Sequence, residues 1–378
     1  MKGVGRVAAG GALALLAALR PAAAHPPAQA AQAAEAGAVW QFSLRSDRHS
    51  DALPLAALGD DDWRRLAPRP GRNLAYVDEQ LQLQRRSGGW TFGLLARSQA
   101  TLVASRETLQ LAALVDGGRR PAGDARWAAD MQLRAFSGAG ALVAREWPLA
   151  PGLTLALSTQ LLALGRWRER SIHGPVAYDA SSASYAFALQ SAESDNRLEF
   201  PFQQAFARRG LGALLGAELA WAAGPWSARA ALRDGGWLHW RGQPQQQATL
   251  ATDAQGLDAD GFVIYRPLVE GRNAQTGLTR WLPWRGHVAL SRSVAEGRQL
   301  GVTLDTVPGF GALPALQWQQ RLDPAAIGPV QLGLGWRLHE RRATLSLAWR
   351  GWQLQAGADR LDAAARSRAF ALNWQGTL

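Results

Sequence analysis

The stretch "RATLSLAWRGWQLQAGADR", Arg342 to Arg360, restricts this chain to one class of fold. Ala343, Leu345, Leu347 and Trp349 alternate with Thr344, Ser346 and Ala348; after Arg350-Gly351 the alternation resumes, with Trp352, Leu354 and Ala356 against Gln353, Gln355 and Gly357. A period of two sends successive side chains to opposite faces of a strand. Two such runs joined by two residues ending in Gly predict an antiparallel hairpin. The pattern recurs at Val77, Leu81 and Leu83, at Trp90 to Ala96, at Trp127 to Ala135, at Leu153 to Leu161, at Leu211 to Trp221, at Val330 to Trp336 and at Phe370 to Trp374. No helical domain is apparent. Past the first 24 residues no apolar run reaches the roughly 18 residues of a membrane helix. The richest, "LGALLGAELAWAAG" from Leu211, is broken by Glu218.

Connections alternate in length. Short turns fall at 87–89, 148–152, 222–225, 295–297 and 350–351, and long segments at 98–125, 174–209 and 242–283. Strands begin near 40, 74, 90, 125, 152, 184 to 210, 226, 284, 298, 312, 328, 342, 352 and 366, about fourteen, with twelve and sixteen left open. The expected fold is all-β: a transmembrane antiparallel up-and-down β-barrel with short periplasmic turns and long extracellular loops. An even count returns both termini to one side. Residues 49–73 are compatible with either a surface loop or a plug.

The N-terminus carries an address. Lys2 and Arg6 precede the apolar run Val7 to Leu19, and Ala22 to Ala24 supply a cleavage site, so residues 1–24 are expected to be a secretory signal peptide, with cleavage after Ala30 as the alternative. Residues 25–38 form an Ala/Pro-rich leader, and the barrel is expected over 39–378. Of the 41 basic residues, Lys2, Arg6 and Arg20 lie in the expected signal peptide; the 38 that remain are all Arg, against 30 acidic residues. Without Lys there is no Walker-type phosphate loop. Without Cys there is no disulfide and no thiolate metal site.

Which face is wet follows from the tryptophans. Of 17, Trp90, Trp147, Trp221, Trp226, Trp349 and Trp352 stand beside the short turns. Indole prefers the bilayer interface, so these six are expected to form an aromatic girdle on the outer face. Pairing Trp349 with Trp352 sets Arg342 opposite Asp359; pairing Trp221 with Trp226 sets Glu218 opposite Arg229; and the hairpin at 87–89 sets Asp78 opposite Arg97. Each is an acid–Arg pair on the face away from Trp, where a polar lumen tolerates it. Leu345, Leu347 and Leu354 then face lipid, while Ser346, Gln353, Gln355 and Arg342 face water.

Over residues 40–378 the chain resembles a porin-type outer-membrane β-barrel of Gram-negative bacteria. The hairpin quoted above, the turn-proximal Trp residues and "RAFALNWQ" carry this likeness, the last resembling the terminal strand read by the barrel assembly machinery. The chain departs from that pattern in ending "WQGTL", without a terminal aromatic. The resemblance implies the cell outer membrane, with lipid and lipopolysaccharide around the barrel.

Chemistry-bearing motifs are sparse. His173, His239, His287 and His339 are dispersed, "HERRA" lacks a second zinc-binding His, and no G-x-S-x-G elbow occurs, so no cofactor, resident metal or catalytic set is expected and an enzyme is the least favoured class. Asp60 to Asp62 and Asp253, Asp258 and Asp260 lack the spacing of a calcium loop. Arginine remains. Arg134, Arg233 and Arg337 are the expected lumen selectivity residues; Arg266, Arg272 and Arg280 form a positive loop mouth. The leading expectation is an outer-membrane pore or transporter for small, anion-biased solutes. The alternative is an export or assembly barrel that passes a polysaccharide or protein to the surface with a periplasmic partner. Nucleic acid is not an expected partner.

Overall fold

A computed structural model of the chain describes residues 38–59, 65–252, 255–257, 263–265 and 268–377. The expected signal peptide and leader short of Ala38, the acidic candidates Asp60 to Asp62, Asp253, Asp258 and Asp260, and Arg266 lie outside the described residues. The elements are β1 (Val39–Ser50), β2 (Arg72–Ser87), β3 (Trp90–Ser105), α1 (Arg106–Asp116), β4 (Ala125–Ala150), β5 (Leu153–Asp179), β6 (Ser184–Asp195), β7 (Gly210–Ala223) and β8 (Trp226–Ala251). A small ribbon, β9 (Gln255–Leu257) and β10 (Val263–Tyr265), precedes β11 (Val269–Leu282), β12 (Arg285–Ala295), β13 (Arg298–Val307), β14 (Gly311–Leu322), β15 (Val330–Arg337), β16 (Arg342–Trp349), β17 (Trp352–Ala358) and β18 (Ser367–Thr377).

These strands close into a 14-strand antiparallel barrel. The first and last strands meet in register from Val39↔Thr377 to His49↔Ser367, so no edge is left in the ring. Closure is what a membrane demands, because a backbone group facing lipid finds no water to bond. Two positions in the wall are shared by stacked segments. β6 sits beyond β7 between β5 and β8, and β11 sits beyond β12 beside β8. The two ends of the described barrel, Val39 and Thr377, lie at the same end as the short turns. The fold is that of a porin-like outer-membrane barrel.

The three long segments need correction as loops. β3 continues to Ser105 and leads into α1, β5 and β6 occupy most of 174–195, and β8 and β11 extend through 251 and from 269. Stretches such as Gln243 to Gln247, paired with Ala274 to Thr276 and their neighbours, are polar on both faces. The ladder continues there while the apolar alternation that marks a half-buried strand is gone.

The quoted hairpin has Trp349 opposite Trp352 and Leu347 opposite Leu354. Arg350 and Gly351 form its two-residue turn, with φ of 47° and 82°. Leu345, Leu347 and Leu354 are exposed on the outside, in a belt with Leu94, Leu161, Leu211, Val288, Val302 and Leu316. Such a band of apolar side chains turned out of a closed barrel is the lipid-facing surface of a membrane barrel.

Two other registers differ from expectation. A two-residue turn, Gly88-Gly89, sets Ser87 against Trp90, so Arg97 faces Gln80 and Asp78 faces Gln99. At the β7–β8 hairpin Ala223 faces Trp226 and Trp221 faces Ala228, because that turn is also two residues long rather than four.

Candidate functional site

The lumen has two unlike sectors. Along β3, β4, β5, β7, β8 and β11 part of the inward face is apolar: Leu95, Phe136, Leu162, Leu164, Trp167, Leu214, Leu238, Trp240 and Leu278 form one buried cluster. In β5 both faces are apolar, with Leu161 outward at 58% exposure and Leu162 inward at 2%. A strand buried on both sides reads as a near-continuous hydrophobic run, which "LALSTQLLALG" does. Trp167 and Trp240 pack with ring centroids 5.3 Å apart.

The rest of the cross-section is charged. Arg342 grips Asp47 through Nη1 at 2.7 Å and Nη2 at 3.2 Å. Arg45 reaches Asp47 at 3.6 Å and Asp78 at 3.4 Å, and Asp78 also meets Arg285 at 3.3 Å. Tyr76 donates its hydroxyl toward Asp47 at 3.1 Å and Glu340 at 3.0 Å. Arg337 joins Glu340 at 3.0 Å to Asp305 at 3.1 Å, and Asp305 takes His287 at 2.8 Å and Arg233 at 3.8 Å. Arg97 and Asp234 make a two-pronged pair at 2.7 and 3.0 Å. β3 and β8 are separated in the ring by β4, β5 and β7, so this pair is a chord across the lumen. Its guanidinium also lies 5.4 Å from the Phe136 ring centroid, which ties the charged sector to the apolar one.

Asp234 is positioned by a break in the wall. It adopts φ of 65°, a conformation Asp tolerates better than most residues, opposite the Pro283-Trp284 junction between β11 and β12. A proline there removes a ladder donor and splits the strand.

On the turn-end side of this layer lies a cavity of about 1800 Å³. Its wall carries Gln41, Gln80, Gln82, Gln84, Gln331, Gln353 and Asn373, with Ser227 and Ser291, and it runs to the rim at 148–152 and 349–352. Amide side chains bond one another along it, as in Gln80→Gln82 at 3.0 Å and Gln82→Gln84 at 2.7 Å.

At the far end the segment after β1 folds back onto the wall. Asp51, Ala52 and Leu53 are buried, Ala67 bonds back to Ala52, and Leu55 bonds to Ala365. Ala52 packs with Leu66, Ala104, Leu109 and Met131. The described part of 49–73 is thus held to the end of the wall, with Ala52 against Ala104 and Met131. Its pin is Asp51, which accepts from His49 at 2.9 Å, His339 at 3.0 Å, Arg69 at 2.8 Å and the Leu74 amide at 2.8 Å. Burial works to raise this carboxyl, and the bonds from His339, His49 and Leu74 outweigh it, holding the group well below the usual carboxylate range. His49, Asp51 and His339 have the donor types of a metal site. The arrangement does not fit a cation, because Arg69 Nη1 stands 3.2 Å from His339 Nε2 and already occupies the carboxylate.

The expected site residues fall as follows. Arg134 pairs with Glu169 at 3.2 Å, and Arg233 and Arg337 pair with Asp305, so each expected selectivity arginine carries a carboxylate. Arg280 lies in β11 on Glu169 at 2.7 Å, and Arg272 is exposed in the same strand rather than in a loop. Arg229 meets Glu218 at 3.1 Å, diagonally, since Glu218 faces Ala231. Asp78 and Arg97 have exchanged partners, as the register requires. Arg342 and Asp359 are next to the last matched rung, Ala343↔Ala358, yet Arg342 turns to Asp47 while Asp359 accepts the backbone amides of Arg366 and Ser367. Trp90, Trp147, Trp221, Trp226, Trp349 and Trp352 all stand exposed at the turn end. Asp47, Asp234, Asp305 and Glu340 were missed. Asp234 had a signal, since "RDGG" interrupts an otherwise regular strand.

No protein-family model and no curated protein matches this chain. Among solved structures it is similar to TodX of P. putida, a toluene transporter, at 10% identity over 93% of this chain and 92% of that one, with a TM-score of 0.39. It is also similar to the toluene transporter TbuX of Ralstonia pickettii, at 9% identity over 90% of each chain and a TM-score of 0.41. A Pseudomonas aeruginosa FadL homologue aligns at 10% identity over 89% of this chain and 88% of that one, with a TM-score of 0.28.

Proposed function

We propose that this barrel is a gated outer-membrane transporter for small solutes, closed at rest by its own side chains. One observation carries the reading. A large vestibule with glutamine amides along its wall ends at a layer of ion-paired side chains that reaches across the lumen, with no strand or helix crossing it among the described residues. Side-chain pairs can part and reform without unfolding the wall, which suits a gate. Arg233 is the least engaged member, 44% exposed with its carboxylate at 3.8 Å, and is where an anionic group entering the vestibule would compete for a guanidinium.

The vestibule's opening beside the termini also favours a second reading, export of a substrate that arrives from the periplasm. Solute-flux measurements in proteoliposomes separate them. Uptake of small anions or neutral solutes that rises severalfold in Arg97→Ala supports the gated transporter, and a rise smaller for anions in Arg233→Ala supports the anion contact. Absence of flux for every small solute in both variants overturns the transporter reading.

A further inference from the structure

Within the lumen, Arg45, Arg97, Arg233, Arg285, Arg337 and Arg342 each have a carboxylate within 3.8 Å. The outer face at the turn end is different. Arg85, Arg145, Arg292, Arg298 and Arg350 have no carboxylate partner among the described residues. Alternation turns the first four outward, with exposed Leu83, Val143, Leu290 and Leu300 as their neighbours two positions away. Arg350 is in the hairpin turn itself.

Three of them lie on the girdle. The Arg145 guanidinium is 4.7 Å from the Trp90 ring centroid and 5.9 Å from that of Trp147. Arg292 is 5.1 Å from Trp226, and Arg350 is 4.8 Å from Trp349. A guanidinium stacked on indole keeps its charge and leaves its N–H edges free, which is the fork geometry that takes two phosphate oxygens. At the opposite end several outward arginines are neutralised, Arg48 by Glu79, Arg166 by Asp195, and Arg168 and Arg170 by Glu193, while the exposed Arg241 and Arg368 stack on no tryptophan. Among the described residues, every arginine stacked on a tryptophan ring lies at the turn-end rim of the apolar belt.

We propose that this Arg–Trp collar is a binding surface for the phosphodiester headgroups of anionic phospholipids in the leaflet that meets the turn end. It rests on the reading of the barrel as membrane-embedded. Zwitterionic headgroups offer the same phosphate with an ammonium beside it, so the collar's charge selects against them.

The test is Trp fluorescence quenching of the full-length protein refolded into phosphatidylcholine vesicles doped with brominated phosphatidylglycerol or brominated phosphatidylcholine. The collar predicts preferential quenching by the anionic lipid, about fivefold in relative affinity for each arginine engaged. The preference falls in Arg292→Gln, whose side chain is exposed and outside every described ion pair, and falls further in Arg145→Gln/Arg292→Gln/Arg350→Gln. Equal quenching by both lipids, or a preference unchanged in these variants, overturns the collar while leaving the membrane barrel standing. No quenching by either lipid overturns the membrane reading and the collar with it.

Discussion

Removing the acid end of the lumen chord should be far costlier than its modest chemistry suggests. In Asp234→Asn the side-chain shape and the left-handed backbone are retained, and the carboxylate that holds Arg97 is lost. The Arg97 side chain is 3% exposed and Asp234 is the carboxylate it is ion-paired with, so its guanidinium would be left with the amide oxygens of Gln160 and Gln99. Breaking a buried pair from one side costs about 3–5 kcal/mol, because the remaining charge is stranded away from water. That is about 150- to 5,000-fold in the folding equilibrium. Arg97→Met should cost less, since Asp234 keeps Arg233 and Arg285 nearby, and the double variant should recover part of the loss. Urea titration of the vesicle-refolded proteins, followed by the band shift of unboiled samples in electrophoresis, reads this directly. An Asp234→Asn protein within about 1 kcal/mol of wild type would mean that water reaches Arg97, and the chord would not seal the lumen.

Three further outcomes follow from the same coordinates. Leu345→Arg, on the lipid face, should destabilise by about 2–4 kcal/mol, and Ser346→Arg, on the lumen face, by much less; the reverse order in urea titration would invert the assignment of faces. Asp51→Asn should weaken the protein at neutral pH. The native carboxyl is depressed, so its stabilisation is present above the unfolded value of about 3.9 and is lost as pH falls below it, and the gap between variant and wild-type midpoints should therefore shrink between pH 5 and pH 3. A gap that widens on acidification would refute the role of Asp51. Gly351→Val should cost about 1–3 kcal/mol by thermal band shift, because φ of 82° disfavours a side chain and the added Cβ would overlap the Gln375 carbonyl oxygen; an unchanged midpoint would refute the strain.

The barrel was legible because strands half-buried against lipid must alternate, and because two-residue turns leave a mark. The starts near 40, 74, 90, 125, 226, 298, 342 and 352 fall within a few residues of those in the structure. The segments beyond the membrane were illegible for the converse reason: Gln243 and Gln245 to Gln247 are polar at successive positions and have no apolar face to show. The lumen was harder still. Rung neighbours follow from a turn, and a two-residue slip in register was enough to misassign Arg97. Its true partner lies 137 residues away across the barrel, a proximity that no local pattern encodes. Asp47 with Arg342 is the same case, brought together by closure of the ring rather than by a hairpin.

The most direct measurement of a lumen closed at rest is single-channel recording of the refolded protein in a planar bilayer, comparing wild type with Arg97→Ala. The account predicts that inserted wild-type protein stays silent for most of the record, and that the variant opens in discrete steps once the chord is gone. Sustained, large conductance from wild type, unchanged in Arg97→Ala, would contradict it and make this barrel an open pore.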